Sequence, residues 1–140
     1  MSFIVLIARI LYGLIFVGSG VAGHIMQADA TAGYAEMRNV PQHRMLTVVS
    51  GVLITAGGLG VILGIWTDLA ALGLALYSLI VAFMVHHFWT DEGDMQQMEM
   101  TNFMKNLALA GGGLALFVLF ATSGDAIGLT ITGSVFDLNF

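Results

Sequence analysis

Four histidines, at positions 24, 43, 86 and 87, stand in a chain that holds only four Lys and Arg residues and no cysteine. Near them in sequence lie Tyr34, Glu36, Arg38, Arg44, Asn102, Lys105 and Asn106. Imidazole, ammonium and amide groups of this kind bond the carbonyl oxygens of a quinone head group, or ligate a metal or haem iron. Spacing argues against a metal. Adjacent His86 and His87 point about 100° apart on a helix, and no helix carries an HxxxH or ExxH pair. The absence of cysteine removes disulfides, thiolate nucleophiles, CxxC redox pairs and iron–sulfur clusters. Each histidine, and Lys105, also has a plainer role available, as an interfacial anchor that reaches the lipid head groups.

What must position these residues is a membrane bundle. Of the 140 residues, 58% are hydrophobic and 9% charged, with a mean hydropathy of +0.91. A solvated domain needs about a quarter of its residues charged, so the fold class is an all-α integral membrane protein in a lipid bilayer. A net charge of −5 makes nucleic acid a poor partner. Four apolar stretches are each long enough for a bilayer core of about 30 Å: residues 3–23, 45–66, 69–89 and 103–123. Together they predict a four-transmembrane-helix bundle in one membrane domain over residues 1–140, with a mildly polar tail at 124–140. Thr67–Asp68 is expected to be the tight turn between the second and third helices. Ala28-Asp-Ala30 looks like a signal-peptidase site, but no basic segment precedes the first apolar run, so that helix is expected to be retained.

With four spans, odd helices end where even helices begin. His24, His86, His87 and Lys105 are therefore expected at one face of the membrane, beneath the 24–44 loop with Tyr34, walled by Phe83, Phe88 or Phe103. Arg38, Arg44 and Lys105 lie on this loop side and Arg9 on the other. The positive-inside rule then favours cytoplasmic loops. Arg9, the charge well inside a helix, is expected to pair with Asp68 on the terminal side. Gly20, Gly57, Gly58, Gly60, Gly64 and Gly111 are expected mostly at helix–helix contacts, inside the bundle or at an interface between chains, because small residues let backbones approach closely. Gly18-Ser-Gly20-Val-Ala-Gly23 matches GxGxxG, but within an apolar helix it lacks the strand and βαβ unit that dinucleotide binding requires. The run Asp91-Glu-Gly-Asp94 is read as solvated, and Met95, Met98 and Met100 as an interfacial stripe.

The ordered series of features resembles the DoxX family of small bacterial membrane proteins, up to about Ser123. It comprises Arg9, Gly13, Phe16-Val-Gly-Ser-Gly20 and His24, then Tyr34 and Pro41, then Ala56-Gly-Gly-Leu59 with Leu63-Gly64. It continues with Thr67-Asp-Leu-Ala-Ala-Leu72, His87-Phe88, and Lys105-Asn-Leu-Ala-Leu109 before Gly111-Gly112. The resemblance implies a bacterial inner-membrane location and, from the family's naming after the membrane part of a thiosulfate:quinone oxidoreductase, a quinone link. Relatives often carry an acid in helix two, where this chain has Leu53-Ile-Thr55. No catalytic constellation stands out. The first functional reading is an accessory or structural subunit of a larger membrane assembly, or of a homo-oligomer. The alternative is a quinone-binding subunit using His24, His86, His87, Lys105 and Tyr34. A small transporter or channel comes third, because helices two and three offer too few polar groups to line a water path.

Overall fold

A computed structural model of the chain describes residues 2–138. Helix α1 (Ser2–Gly18) continues into a π-helical segment, Ser19–Met26. After it come α2 (Ala28–Met37), α3 (His43–Leu63), α4 (Thr67–Met84) and α5 (Gly93–Ser123). Single 3₁₀ turns occupy Phe88–Thr90 and Gly124–Ile127, and no strand occurs among the described residues. Four stretches are long and apolar enough to cross a membrane: Ser2–Met26, His43–Leu63, Thr67–Thr90 and Gly93–Ser123. The outer surface is correspondingly greasy, with Phe3, Ile4, Leu11, Leu53 and Ile80 all more than half exposed. In a bilayer that surface meets lipid.

Several boundaries differ from expectation, each for a local reason. The hairpin turn is Gly64–Trp66, not Thr67–Asp68, because Gly64 takes the left-handed conformation (φ 74°) and returns its N–H to the Gly60 carbonyl. Glycine at this position ends helices at little steric cost. Helix α4 stops at Met84 instead of 89, and α5 begins at Gly93 instead of 103. At 1.5 Å per residue, the 31 residues of α5 span about 46 Å, well beyond a core of about 30 Å. Its first turns therefore stand above the bilayer core on the loop side. Helix α2 was not expected; it lies over the same side, after which Asn39 and Gln42 adopt positive φ around Pro41. The last two residues of the expected tail, 139 and 140, lie outside the described residues.

The bundle is built from two close pairs. Helix α1 and its π-helical continuation meet α3 through glycine: a Cβ on Gly13 would sit 2.6 Å from the Gly58 carbonyl oxygen, and one on Gly20 2.7 Å from that of Gly51. Helix α4 meets α5 at Gly113, where a Cβ would lie 2.9 Å from the Ala71 oxygen. Between the pairs sits a core of Phe16, Ile54, Val61, Leu74, Leu116 and Phe120. Of the expected packing glycines, Gly20, Gly57 and Gly58 abut neighbouring helices, and Gly60 abuts Ala70 and the turn. Gly64 is the helix-ending residue beside Arg9 and Thr130. Gly111 does not pack inside the bundle: it is exposed, with nothing within 4 Å of a Cβ. Two residues correspond to about 200° of helix, so Gly113 faces inward and Gly111 outward.

The Arg9–Asp68 ion pair is also corrected. Arg9, 1% exposed, donates from Nε to the Val61 oxygen, from Nη2 to that of Ile62 and from Nη1 to that of Leu129, each at 2.8 Å. Val61 and Ile62 belong to the last turn of α3, whose carbonyls have no intrahelical partner, and a cation there complements the helix dipole. Asp68, fully buried in the first turn of α4, accepts at Oδ2 from the Val135 and Phe136 N–H groups at 2.8 and 2.7 Å. The Ile131 and Thr132 amides bond the Gly64 oxygen at 2.9 and 3.0 Å, and the Leu138 amide bonds that of Ala121 at 2.9 Å. Each charge thus serves a helix end and the returning tail, which is strapped across the terminal face.

Candidate functional site

On the loop side the two helix pairs enclose a cavity of about 420 Å³. Four of the five candidate residues line it: His24, Tyr34, His86 and Lys105. His43, Tyr77, Ser50 and Asn106 join them. Apolar walls come from Ile15, Phe16, Leu53, Ile54, Ile80 and Val81.

Deeper in the bundle, the π-helical segment carries His24, whose Nδ1 lies 3.0 Å from the Ser19 carbonyl oxygen. With that nitrogen donating, Nε2 accepts from the Tyr77 hydroxyl at 3.2 Å, a tautomer assigned from the bonding pattern. Tyr77 comes from α4, so this bond joins the two helix pairs across the cavity. Nearer the loop face, Glu99 is completely buried. It accepts from the Tyr34 hydroxyl at Oε1 and, at 2.6 Å, faces Nδ1 of His86 through Oε2. Elements α2, α5 and the end of the third span thereby meet at one carboxylate. Burial and the Glu99 carboxylate push the Tyr34 phenol well above its ordinary value, so it stays a donor. Lys105 bonds the Asn102 side-chain oxygen at 3.3 Å, and the Asn106 amide bonds the Asn102 carbonyl at 2.9 Å.

The roof of the cavity is held by Arg38, which follows α2. Its guanidinium forms a bidentate pair with Asp91 at 2.8 and 2.9 Å and also bonds the Val85 carbonyl at 2.7 Å. Asp91 is therefore not simply solvated as expected, whereas Glu92 and Asp94 are exposed. The guanidinium holds the Asp91 carboxyl below the usual carboxylate range, and Asp91 in turn raises Arg38.

Two expectations fail here. His87 is not among the cavity-lining residues; its Nδ1 lies 3.1 Å from the Met84 oxygen and its ring 6.1 Å from that of Trp89. Phe83, Phe88 and Phe103 are not the cavity walls either. They pack with Trp89 in an aromatic cluster, Phe103 lying 5.2 Å from Phe83, 5.4 Å from Phe88 and 5.9 Å from Trp89. The polypeptide leaves the α-helix after Met84, so helical phase no longer directs His87 and Phe88, while Phe83 lies on the exposed face of α4 and Phe103 packs against it from α5. The residue that went unnoticed is Glu99. Its signal was present: it continues the inward stripe of Asn106, Ala110, Gly113 and Leu116 at helical spacing.

Comparison with known proteins agrees with this architecture. The DoxX family model matches residues 4–87, short of the fourth span that the resemblance was expected to include. Two curated relatives extend further. Inner membrane protein YphA of Escherichia coli K12 is 31% identical over 121 residues, covering 86% of this chain and 83% of that protein. Inner membrane protein YqjF of the same organism is 36% identical over 120 residues, with the same coverage of each. No solved structure matches the chain. A four-span helical protein with these relatives resides in the bacterial inner membrane, and the chain belongs to the DoxX family.

Proposed function

We propose that the protein binds a quinone head group in the loop-side cavity and serves as the quinone-binding subunit of a membrane oxidoreductase. The observation that carries this reading is convergence: His24, Tyr34, His86 and Lys105, from distant parts of the chain, surround one apolar-walled cavity of about 420 Å³. Small-molecule sites have this character, with volumes of roughly 300–1,000 Å³ and a few polar groups among apolar walls. The Lys105 ammonium is a donor suited to quinone carbonyl oxygens, the Tyr77 hydroxyl becomes one by releasing His24, and Phe16 supplies a flanking ring. Organic extraction of the purified protein, followed by titration with decylubiquinone, tests the reading. Tyr77→Phe and His86→Ala are expected to weaken binding on the order of tenfold each, as loss of one buried hydrogen bond implies. His87→Ala should leave binding unchanged. Equal binding by all three variants, with circular dichroism showing intact helices, overturns the proposal.

The accessory-subunit reading rests on different residues. Gly73 and Gly111 lie in transmembrane helices, are exposed, and have nothing within 4 Å of a Cβ. Such positions admit the close approach of another helix. Gly73→Leu and Gly111→Leu should then abolish co-purification of a membrane partner in mild detergent without unfolding the chain. Undiminished recovery would dismiss it.

A further inference from the structure

The cavity has a side door. Near the hairpin, α3 and α4 are in close contact: a Cβ on Gly57 would sit 3.0 Å from Leu74, and one on Gly60 3.2 Å from Ala70. Toward the loop side, the same two helices line the cavity instead of meeting across it. Leu46, Val49 and Leu53 of α3 and Ile80 and Met84 of α4 all line it, and each is 38–64% exposed. A residue that both lines a cavity and faces outward marks an opening. All five are aliphatic or thioether side chains within membrane-spanning stretches, so on this side the opening faces hydrocarbon. At the inner end of the cleft stand the His24–Tyr77 pair and Ser50.

We propose that the ligand enters from the bilayer through the α3–α4 cleft and is lipid-tailed. Its hydrocarbon chain lies between Leu53 and Ile80 while its polar head reaches Tyr77 and His86. The inference builds on the quinone reading for the identity of the head, yet the cleft requires only a tail. An apolar slot continuous with a polar-lined chamber matches the amphipathic shape of such a molecule. A water-soluble ligand would gain nothing from an aliphatic doorway.

The test uses the full chain in lipid nanodiscs, a palmitic acid carrying a diazirine along its chain, and decylubiquinone against its tail-less dimethoxybenzoquinone head. Leu53→Trp and Ile80→Trp narrow the cleft. Leu14→Trp and Val118→Trp, also at exposed positions, are controls, all checked for intact helices by circular dichroism. The expected result is photolabelling concentrated on the five cleft residues, reduced several-fold by either cleft variant and unchanged by the controls. Tailed quinone should bind at least tenfold more tightly than the bare head, as burial of several methylenes implies. Cleft labelling that palmitate displaces but decylubiquinone does not would uphold the doorway and refute the quinone head. Quinone binding indifferent to tail length and to both cleft variants would uphold the head and refute the doorway. Labelling spread evenly round the apolar belt also overturns the inference.

Discussion

The two ends of the bundle treat buried polar groups in opposite ways. At the terminal face, Arg9 and Asp68 bond backbone: carbonyls at the end of α3, amides of the returning tail. At the loop face, Glu99, His86, Tyr34, Tyr77 and His24 bond one another's side chains around open space. Backbone partners at a helix end have no alternative in a dry interior, so losing the side chain that serves them leaves several groups unsatisfied together. Side-chain partners can rotate and re-pair with an incoming molecule. One end is a lock and the other a socket, although both rest on buried ionisable residues.

Breaking the lock should give the largest effect. Arg9→Leu removes three hydrogen bonds and the cation lying 5.7 Å from the Phe120 ring centre. A loss on the order of 3 kcal/mol is expected, read as a large fall in thermal midpoint in detergent. Arg9→Lys should not restore it, since an ammonium lacks the planar fork. A midpoint change no greater than that of Glu99→Gln would erase the contrast. Next comes helix contact. Gly20→Leu drives a side chain into Thr55 and the Gly51 carbonyl and should cost about 2 kcal/mol, while Gly111→Leu should leave stability nearly unchanged. Equal effects in thermal melts would contradict the inward and outward assignments.

The smallest effect concerns the roof over the socket. Arg38 holds the Asp91 carboxyl below its ordinary value, so the carboxylate form is favoured in the folded protein. Its contribution is fully present above the ordinary carboxylate range and is lost as pH falls through the lowered native value, below about pH 4. Wild-type protein should therefore lose stability along this acid limb. Asp91→Asn should flatten the limb and be slightly less stable at neutral pH. A variant retaining the full wild-type pH dependence would show that the clasp does not contribute to it.

Much of the architecture was legible because the bilayer imposes a length on every span. Apolar stretches of about 20 residues stand out whatever their neighbours, and alternation of direction alone gathers His24, His86, Tyr34 and Lys105. Legibility failed where the partner was not a side chain. Arg9 was conspicuous, but sequence displays Asp68 as a carboxylate and cannot display the bare carbonyls of Val61 and Ile62. Glu99 escaped notice for another reason: it sits among Met95, Met98 and Met100, in a stretch taken for an interfacial loop, until α5 is known to start at Gly93. Of the phenylalanines, Phe88 was misplaced by projecting helical phase past Met84, where the α-helix has ended, whereas Phe83 and Phe103 stay helical but face the outer aromatic cluster.

The π-helical segment Ser19–Met26 makes the socket a matter of counting residues. Its turns close five residues apart instead of four, so the stretch holds more residues than an α-helix of equal rise. Such a segment is a fold's way of absorbing an insertion without moving what lies before it. Wound as an α-helix of the same length, the stretch would carry its residues through more rotation. Arg9 and Gly13 would stay in place, and His24 would swing by about 100°, away from Tyr77. Removing one residue, for instance the exposed Val21, would offset that rotation, so winding and length compensate here and a chain of this fold can change length in this one stretch and keep its chamber.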